Sequence, residues 1–251
     1  MNPRYILYIH LVLNDMILLT IFTLIMVLSY IVYTLNISFC MFLLSIGLLS
    51  TANNPFTLAV MAVECYIAVC FPLRHSLICT VRKTYAVIGL MWLIGLLTVL
   101  PDIFYALATE SLDFFRSRMF CLSANVFRNP VLKERRDVSN IVCLVIIWLT
   151  IFYTYFRIMC VAKAADSKKA RNTVLLHGFQ LLLCMLTYIF HLAIEGLTFL
   201  FPRGGLNIRF IITILIHVLP RLISPLVYGL RDKMFRKYLR RYLVCSIHKQ
   251  P

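Results

Sequence analysis

Long apolar runs separated by short polar segments dominate this chain. Six runs are long enough to cross a bilayer, because a helix needs about 20 apolar residues to span the hydrocarbon core. The runs are continuous, so they predict helices, whereas strands of a membrane barrel alternate over segments of about ten residues. The predicted spans are 6–33, 40–69, 85–105, 139–161, 173–201 and 210–230. The pattern predicts an all-α polytopic membrane helix bundle that forms one domain over residues 1–251.

Composition and charge agree with a membrane protein and indicate its orientation. Charged residues make up 14% of the chain and mean hydropathy is +0.88, whereas a soluble domain has about 25% charged residues. The net charge is +15, and the segment between the second and third spans contains Arg74, Arg82 and Lys83 without an acid. Basic loops face the cytoplasm, so we expect contact there with anionic lipid or an acidic partner. The sequence pI is about 9.7. In a soluble protein such a basic pI would suggest nucleic-acid binding, but we do not expect it here.

The inner end of the second span contains the most specific motif. Residues 61–75 read MAVECYIAVCFPLRH, which resembles MAYDRYVAICxPLxY, the signature of odorant receptors within the rhodopsin-like G-protein-coupled receptors. The acid Glu64 is similar to the fish variants of this motif. Glu64, Cys65 and Tyr66 fall on the family's DRY triplet, so Cys65 replaces its arginine. The resemblance implies that these three residues belong to the region that couples to a G protein.

Three further segments are similar to the same family. PRYILYIHLVLND at the start resembles PMYFFLSNLSLLD, which enters the second family helix, so that Asp15 takes the position of its acid. This alignment implies that the first family helix is missing and that the six spans are helices two to seven. Trp92 falls where the superfamily usually keeps a tryptophan. LPRLISPLVYGLRDKMF resembles PxLNPxIYxLRNxxV, so Pro225 and Tyr228 match the switch of the last helix while Ser224 replaces its asparagine.

The resemblance also implies one disulfide, between Cys40 and Cys121. The other seven cysteines fall in apolar runs or on the reducing cytoplasmic side, where disulfides are rare. A Cys40–Cys121 bridge would tie the polar stretch 106–138 to the outer end of the second span as a lid over the pocket. The sequon at Asn36 lies close to the membrane, and we expect it to escape glycosylation.

A small odorant would bind, by the same resemblance, near Leu48, Thr51, Tyr188 and His191. From the residues themselves, Tyr188, His191 and Glu195 share one helical face, and an acid beside an imidazole in a membrane helix favours the bundle interior. The three residues are therefore our pocket-lining candidates. The alternative is that they hydrogen-bond to neighbouring helices without contacting a ligand.

Asp15 and Arg221 are predicted to form an intramembrane ion pair. A charged side chain within the bilayer is costly unless it is paired, and the family packs its second and seventh helices together at this depth. The pair would replace the sodium ion that many rhodopsin-like receptors hold there. Replacing Arg221 with Met should then impair folding.

Two basic segments are expected on the cytoplasmic side. Lys163, Lys168, Lys169 and Arg171 form an inner loop that either anchors the topology or also contacts the G protein. Residues 231–243 have the pattern of an interfacial amphipathic helix, and Cys245 after it is a candidate palmitoylation site.

These observations predict an odorant receptor that activates an olfactory stimulatory G protein from the plasma membrane, with no enzymatic activity and no cofactor or metal. One alternative is a truncated receptor fragment that does not signal, because the first helix is missing, Cys65 lacks a charge and Ser224 alters the switch. A membrane transporter or channel is a further alternative. It is less favoured, because the spans contain few charged residues that could form a pathway.

Overall fold

Four long helices form the part of the molecule that the structure, a computed structural model, describes, which is residues 3–164. These residues lie within a compact unit comprising Met1–Val174. The helices are α1 (Pro3–Ile31), α2 (Ile37–Cys70), α4 (Val81–Thr109) and α7 (Pro130–Ala164), and each is long and apolar enough to cross a membrane. The helical class is confirmed, and the predicted spans 40–69, 85–105 and 139–161 lie inside three of these helices. Span 6–33 overlaps α1, which ends two residues earlier.

Short elements connect the long helices. A single turn of 3₁₀ helix at Pro72–Arg74 and the helix α3 (His75–Ile78) link α2 to α4. Between α4 and α7 lie α5 (Leu112–Arg116), the strand β2 (Arg118–Met119) and α6 (Ser123–Val126). The strand β1 (Leu35–Asn36) pairs antiparallel with β2, with Leu35 opposite Met119.

Helix α2 lies at the centre of this group, since it packs against α1, α4 and α7. Its buried side includes small and polar residues such as Ser50, Asn53 and Thr57, which allow close approach of neighbouring helices in a membrane. The helix continues through Pro55, which is buried. Proline there removes one backbone hydrogen-bond donor from the helix.

Helices α4 and α7 extend beyond the runs from which they were predicted. The stretch 106–138 was expected to be an outer loop, but α4 continues to Thr109 and α7 begins at Pro130, so the connection is 110–129. The Asn129 side-chain oxygen accepts hydrogen bonds from the backbone N–H groups of Val131 and Leu132. Asn129 therefore caps the helix and Pro130 occupies its first position, where the missing proline N–H has no cost.

Candidate functional site

The connection 110–129 is fixed to the start of α2 and forms a lid at this end of the bundle, which we call the outer end. The disulfide between Cys40 and Cys121 is present, as the sequence predicted, with the two Cα atoms 5.7 Å apart. Ser38 Oγ donates to the Phe115 carbonyl at 2.9 Å, and the Ile37 N–H donates to the Ser117 carbonyl at 3.2 Å. The lid is thus held by one covalent and several hydrogen-bonded contacts.

Two of the predicted ligand residues lie on α2 at different depths below the lid. Leu48 is partly buried and packs against the apolar cluster that surrounds the disulfide. Thr51 is also partly buried, and its hydroxyl donates to the carbonyl of Gly47 at 2.7 Å. The buried members of the cluster are Leu35, Cys40, Cys121, Val126 and Phe127. Leu48 therefore connects the lid to the interior of the bundle.

Asn54 joins α1 to α2 near the middle of both helices. Its Nδ2 donates to Asp15 Oδ1 at 2.7 Å, and its Oδ1 accepts from Asn14 Nδ2 at 2.6 Å. Asn14 Nδ2 also donates to the Ser50 carbonyl at 2.8 Å. All of these side chains are buried, so Asn54 joins the two helices by hydrogen bonds within their interface. The acid Asp15 receives a hydrogen bond from α2, while its proposed partner Arg221 lies outside the described residues.

A chain of hydrogen bonds connects α4, α1 and α2 at a level nearer the opposite end. Trp92 Nε1–H donates to His10 Nε2 at 3.0 Å, so this nitrogen is an acceptor and the neutral ring carries its proton on Nδ1. His10 Nδ1 is 3.2 Å from Thr57 Oγ1, which then donates to the Asn53 carbonyl at 2.9 Å. Trp92, which was identified by its resemblance to the superfamily tryptophan, therefore fixes the tautomer of His10. The sequence did not indicate a role for this histidine.

At the inner end, opposite the lid, two bases contact the carboxylate of Glu64. Arg4 Nε lies 2.9 Å from Oε2, and His75 Nε2 lies 2.9 Å from Oε1. Arg4 Nη2 also donates to Oε1 at 3.3 Å. Glu64 is 6% exposed, and its partners come from α1 and from the connection after α2. The acid of the triplet is thus paired although Cys65 provides no charge.

Cys65 and Tyr66, the other residues of the triplet, face α7. Cys65 is 7% exposed and forms a small buried cluster with Ile158, against which Tyr66 also packs. The Tyr66 ring lies 6.1 Å from that of Tyr153 and 5.8 Å from that of Phe71. The position that the family gives to an arginine is therefore an apolar contact between α2 and α7.

A buried ion pair between Asp102 of α4 and Arg136 of α7 was missed by the sequence analysis. Arg136 Nη1 donates to Asp102 Oδ2, and the two residues are 7% and 2% exposed respectively. Asp102 lies inside a predicted span, where a lone acid is costly. Its position could therefore have indicated that it needs a basic partner. Arg136 lay in the stretch that was expected to be a loop.

Several predicted residues lie outside the part of the chain that the structure describes. They are the ligand candidates Tyr188, His191 and Glu195, the cation Arg221, and the switch residues Ser224, Pro225 and Tyr228. Spans 173–201 and 210–230 and the helix 231–243 lie there too. These assignments stay predictions.

The arrangement of lid, disulfide and triplet agrees with a family comparison. The family model described as 7 transmembrane receptor (rhodopsin family) matches residues 1–228 of the sequence. The chain therefore belongs to the rhodopsin family of seven-transmembrane receptors, and the resemblance seen in its motifs is confirmed. Membership in this family supports the prediction that the protein is a multi-pass membrane receptor and not an enzyme.

Within this family, similar proteins include odorant receptors. Odorant receptor 131-2 of Danio rerio is 32% identical over 226 residues, which are 85% of this chain and 68% of the relative. Olfactory receptor 10P1 of Homo sapiens is 29% identical over 73% of this chain and 60% of the relative. Adenosine receptor A2b of Homo sapiens is 26% identical over 82% of this chain and 71% of the relative. The likeness to fish odorant receptors that the sequence indicated is thus confirmed.

Proposed function

We propose that the chain is an odorant receptor that binds a small odorant inside the helix bundle and activates a heterotrimeric G protein of the olfactory stimulatory type at the plasma membrane. The observation that carries the proposal is the similarity to a fish odorant receptor over 85% of the chain. The bridge between Cys40 and Cys121 supports it, because it holds a lid above Leu48. The chain spans 60 to 68% of the length of the first two relatives.

The odorant would contact Leu48 and Thr51 of α2 together with Tyr188, His191 and Glu195. Such a ligand activates a receptor only if it binds the active conformation more tightly than the resting one. Glu64, Tyr66, Ser224, Pro225 and Tyr228 would respond at the inner end and admit the G protein. The ion pair between Asp15 and Arg221 would stabilise the resting bundle.

A test of this proposal measures odorant-dependent cyclic AMP in cells that express the chain together with the stimulatory G protein. We expect a saturable response to some member of an odorant panel. Leu48→Trp, which adds bulk beneath the lid, should shift the response to at least about ten-fold higher odorant concentration. Leu97→Trp is the control, because Leu97 is an exposed position on α4. A response that is unchanged by Leu48→Trp would contradict the assigned pocket.

One observation favours a second candidate function, a receptor that binds ligand without activating a G protein. Cys65 replaces the arginine of the family triplet and is buried against Ile158. An uncharged buried thiol presents no cation to an acidic partner. The receptor would then act by sequestering its ligand or by pairing with a signalling receptor.

Cys65→Arg separates the two candidates. If the chain is silent as it stands, a gain of odorant-dependent cyclic AMP in Cys65→Arg, without a gain in Cys65→Ser, identifies the missing charge as the cause. A full response of the unaltered chain overturns the second candidate. Surface labelling of each variant confirms that equal amounts reach the plasma membrane.

A further inference from the structure

A cavity of about 350 Å³ lies at the outer end between the last two turns of α4 and the segment that joins α6 to α7. Asp102, Ala106 and Thr109 line it from α4. Phe127 and Leu132 line it from the other side. Neither Leu48 nor Thr51, the two described residues of the pocket assigned to the odorant, is among the described residues that line this cavity. Its volume lies in the range of small-molecule sites.

One wall of the cavity contains a buried acceptor that lacks a donor. Asp102 Oδ2 accepts from Arg136, but Oδ1 has no hydrogen-bond partner within residues 3–164. Asp102 is 2% exposed, so bulk water does not reach it freely. A buried carboxylate oxygen without a partner is unfavourable, and an occupant that donates a hydrogen bond would remove this penalty.

Glu110 and Arg128 also line the cavity and carry opposite charges, so the charge nearest to Asp102 decides between a neutral donor and a cation, and it favours the neutral donor. The Arg136 guanidinium already balances the carboxylate, and its Cζ lies 5.7 Å from the centre of the Phe127 ring. An ammonium group beside Oδ1 would therefore approach a second cation in a desolvated place, where like charges repel strongly. A hydroxyl group donates one proton and adds no charge.

Six apolar residues form the part of the wall that is suited to a hydrocarbon body, and the other lining residues besides Asp102 are Tyr105, Thr109, Glu110, Arg128 and Asn129. Ala106, Val126 and Phe127 are buried apolar residues that line the cavity, and Pro130, Val131 and Leu132 continue the same surface. We propose that this cavity is a second small-molecule site, which binds a neutral alcohol with its hydroxyl donating to Asp102 Oδ1 and its apolar part against Phe127 and Leu132. The site does not depend on coupling to a G protein.

Binding of 4-fluorobenzyl alcohol to the full chain in lipid nanodiscs, followed by fluorine NMR, tests this proposal. Empty nanodiscs correct for partition into lipid. We expect saturable binding that is about ten-fold tighter than that of 4-fluorobenzyl methyl ether, which has the same ring but no donor. 4-Fluorobenzylamine, which is cationic at neutral pH, should also bind more weakly. Equal binding of ether and alcohol would show that no hydrogen bond to Asp102 contributes, and no binding beyond empty nanodiscs would show that the cavity takes neither ligand. Either result would overturn the proposal.

Two substitutions on α4 locate the binding. Ala106→Phe extends into the cavity and should weaken alcohol binding at least about ten-fold. Leu107→Phe is the matched control, because Leu107 is exposed on the neighbouring position of the helix, and it should bind as the unaltered chain does. Unchanged binding in Ala106→Phe would place the alcohol elsewhere and overturn the assignment.

A protection experiment covers the case in which Ala106→Phe does not fold. Thr109 lines the cavity and is exposed, so Thr109→Cys places a thiol at its edge. Alkylation of that thiol, followed by mass spectrometry of its peptide, should slow at least about two-fold with saturating 4-fluorobenzyl alcohol and remain unchanged with 4-fluorobenzyl methyl ether at the same concentration. Equal rates with and without alcohol would contradict the site. All of these readouts are obtained without odorant signalling, so their failure is distinct from failure of the proposed receptor function.

Discussion

Glu64 is a buried carboxylate whose two basic partners come from different parts of the chain. Arg4 belongs to the first turn of α1 and His75 to α3, so the three side chains hold three elements together at the inner end. Buried charges are stable only when they are paired and hydrogen-bonded. The contacts therefore explain how an acid persists here next to the uncharged Cys65.

Arg4→Met should destabilise the bundle because it removes the arginine partner of a buried acid. We expect a loss of about 1 to 2 kcal/mol, since Arg4 is partly exposed and the His75 contact remains. Thermal unfolding in detergent, followed by the accessibility of buried cysteines, measures the effect. Arg82→Met removes the same charge from an exposed position at the start of α4 and should change little. Equal melting temperatures for both variants would contradict a structural role of the Arg4–Glu64 pair.

Cys79 in the inner connection should react slowly with alkylating reagents. Burial raises the pKa of the Cys79 thiol, and the neighbouring Glu64 carboxylate raises it further. A raised pKa means less thiolate at neutral pH, and the thiolate is the reactive form. The rate at pH 7.5 should therefore be below that of a peptide comprising residues 76–82, and it should still rise above pH 9, measured by mass spectrometry after timed iodoacetamide labelling. A rate equal to that of the peptide would contradict the shift.

At the scale of elements, small residues determine how closely α4 approaches α2. A Cβ atom added at Gly95 would lie 3.5 Å from Leu49 Cδ2 and 3.8 Å from Asn53 Nδ2. These are ordinary contact distances, so alanine fits but a larger side chain does not. At Gly89, which lies earlier in the same helix, such an atom would have nothing within 4 Å.

Gly95→Leu should cost about 1 to 3 kcal/mol, because it overpacks the contact with α2. Gly95→Ala should be neutral or stabilising, since alanine favours the helix by up to about 1 kcal/mol. Gly89→Leu provides the control for bulk alone and should fold normally. Thermal stability in detergent and the yield of the disulfide-bonded form measure all three. The packing assignment would be wrong if Gly95→Leu and Gly89→Leu behaved alike.

Helices could be predicted from the sequence where a run of apolar residues defines them. They were harder to predict where only a capping residue defines their start. The apolar runs identified all four described long helices, because backbone groups in lipid must bond within a helix. The apolar runs did not identify the first nine residues of α7, because five of these nine are charged and all nine lie outside the apolar run. Asn129 and Pro130 could have indicated that start, since asparagine followed by proline is a helix-initiating pair.

At the scale of the whole molecule, the motifs predicted the family and the disulfide but not the ion pairs. Glu64 and Arg4 are 60 residues apart, and Asp102 and Arg136 are 34 apart. Local spacing carries no information on such pairs, because the packing of helices brings their members together. The sequence could only mark each buried charge as needing a partner. By contrast, the bridge to Cys121 followed from a known position of Cys40 in a family motif.

Orientation is a property of the whole molecule that glycosylation can report. Phe115→Asn creates a sequon with Ser117 in the lid, and we expect one added glycan because the lid is predicted to face outward. The native sequon at Asn36 should remain unmodified, since its side-chain oxygen accepts from the Ser38 N–H and its nitrogen donates to the Arg116 carbonyl. Arg82→Asn creates a sequon at the predicted inner end, and this variant should gain no glycan. A mobility shift on gels, removed by glycosidase, gives the readout, and a glycan on Arg82→Asn alone would reverse the topology.

The bridge between Cys40 and Cys121 also imposes an order of events during synthesis. The two cysteines are 81 residues apart, and on the predicted topology α2 and α4 must both cross the membrane between them. At ribosomal speed this takes roughly 4 to 16 seconds, during which Cys40 stands alone in the lumen of the endoplasmic reticulum. The nascent chain therefore carries an unpaired thiol in an oxidising compartment, where it can form mixed disulfides with luminal oxidoreductases. The lid can close only after the third described long helix has crossed, so its closure marks a late checkpoint in biogenesis.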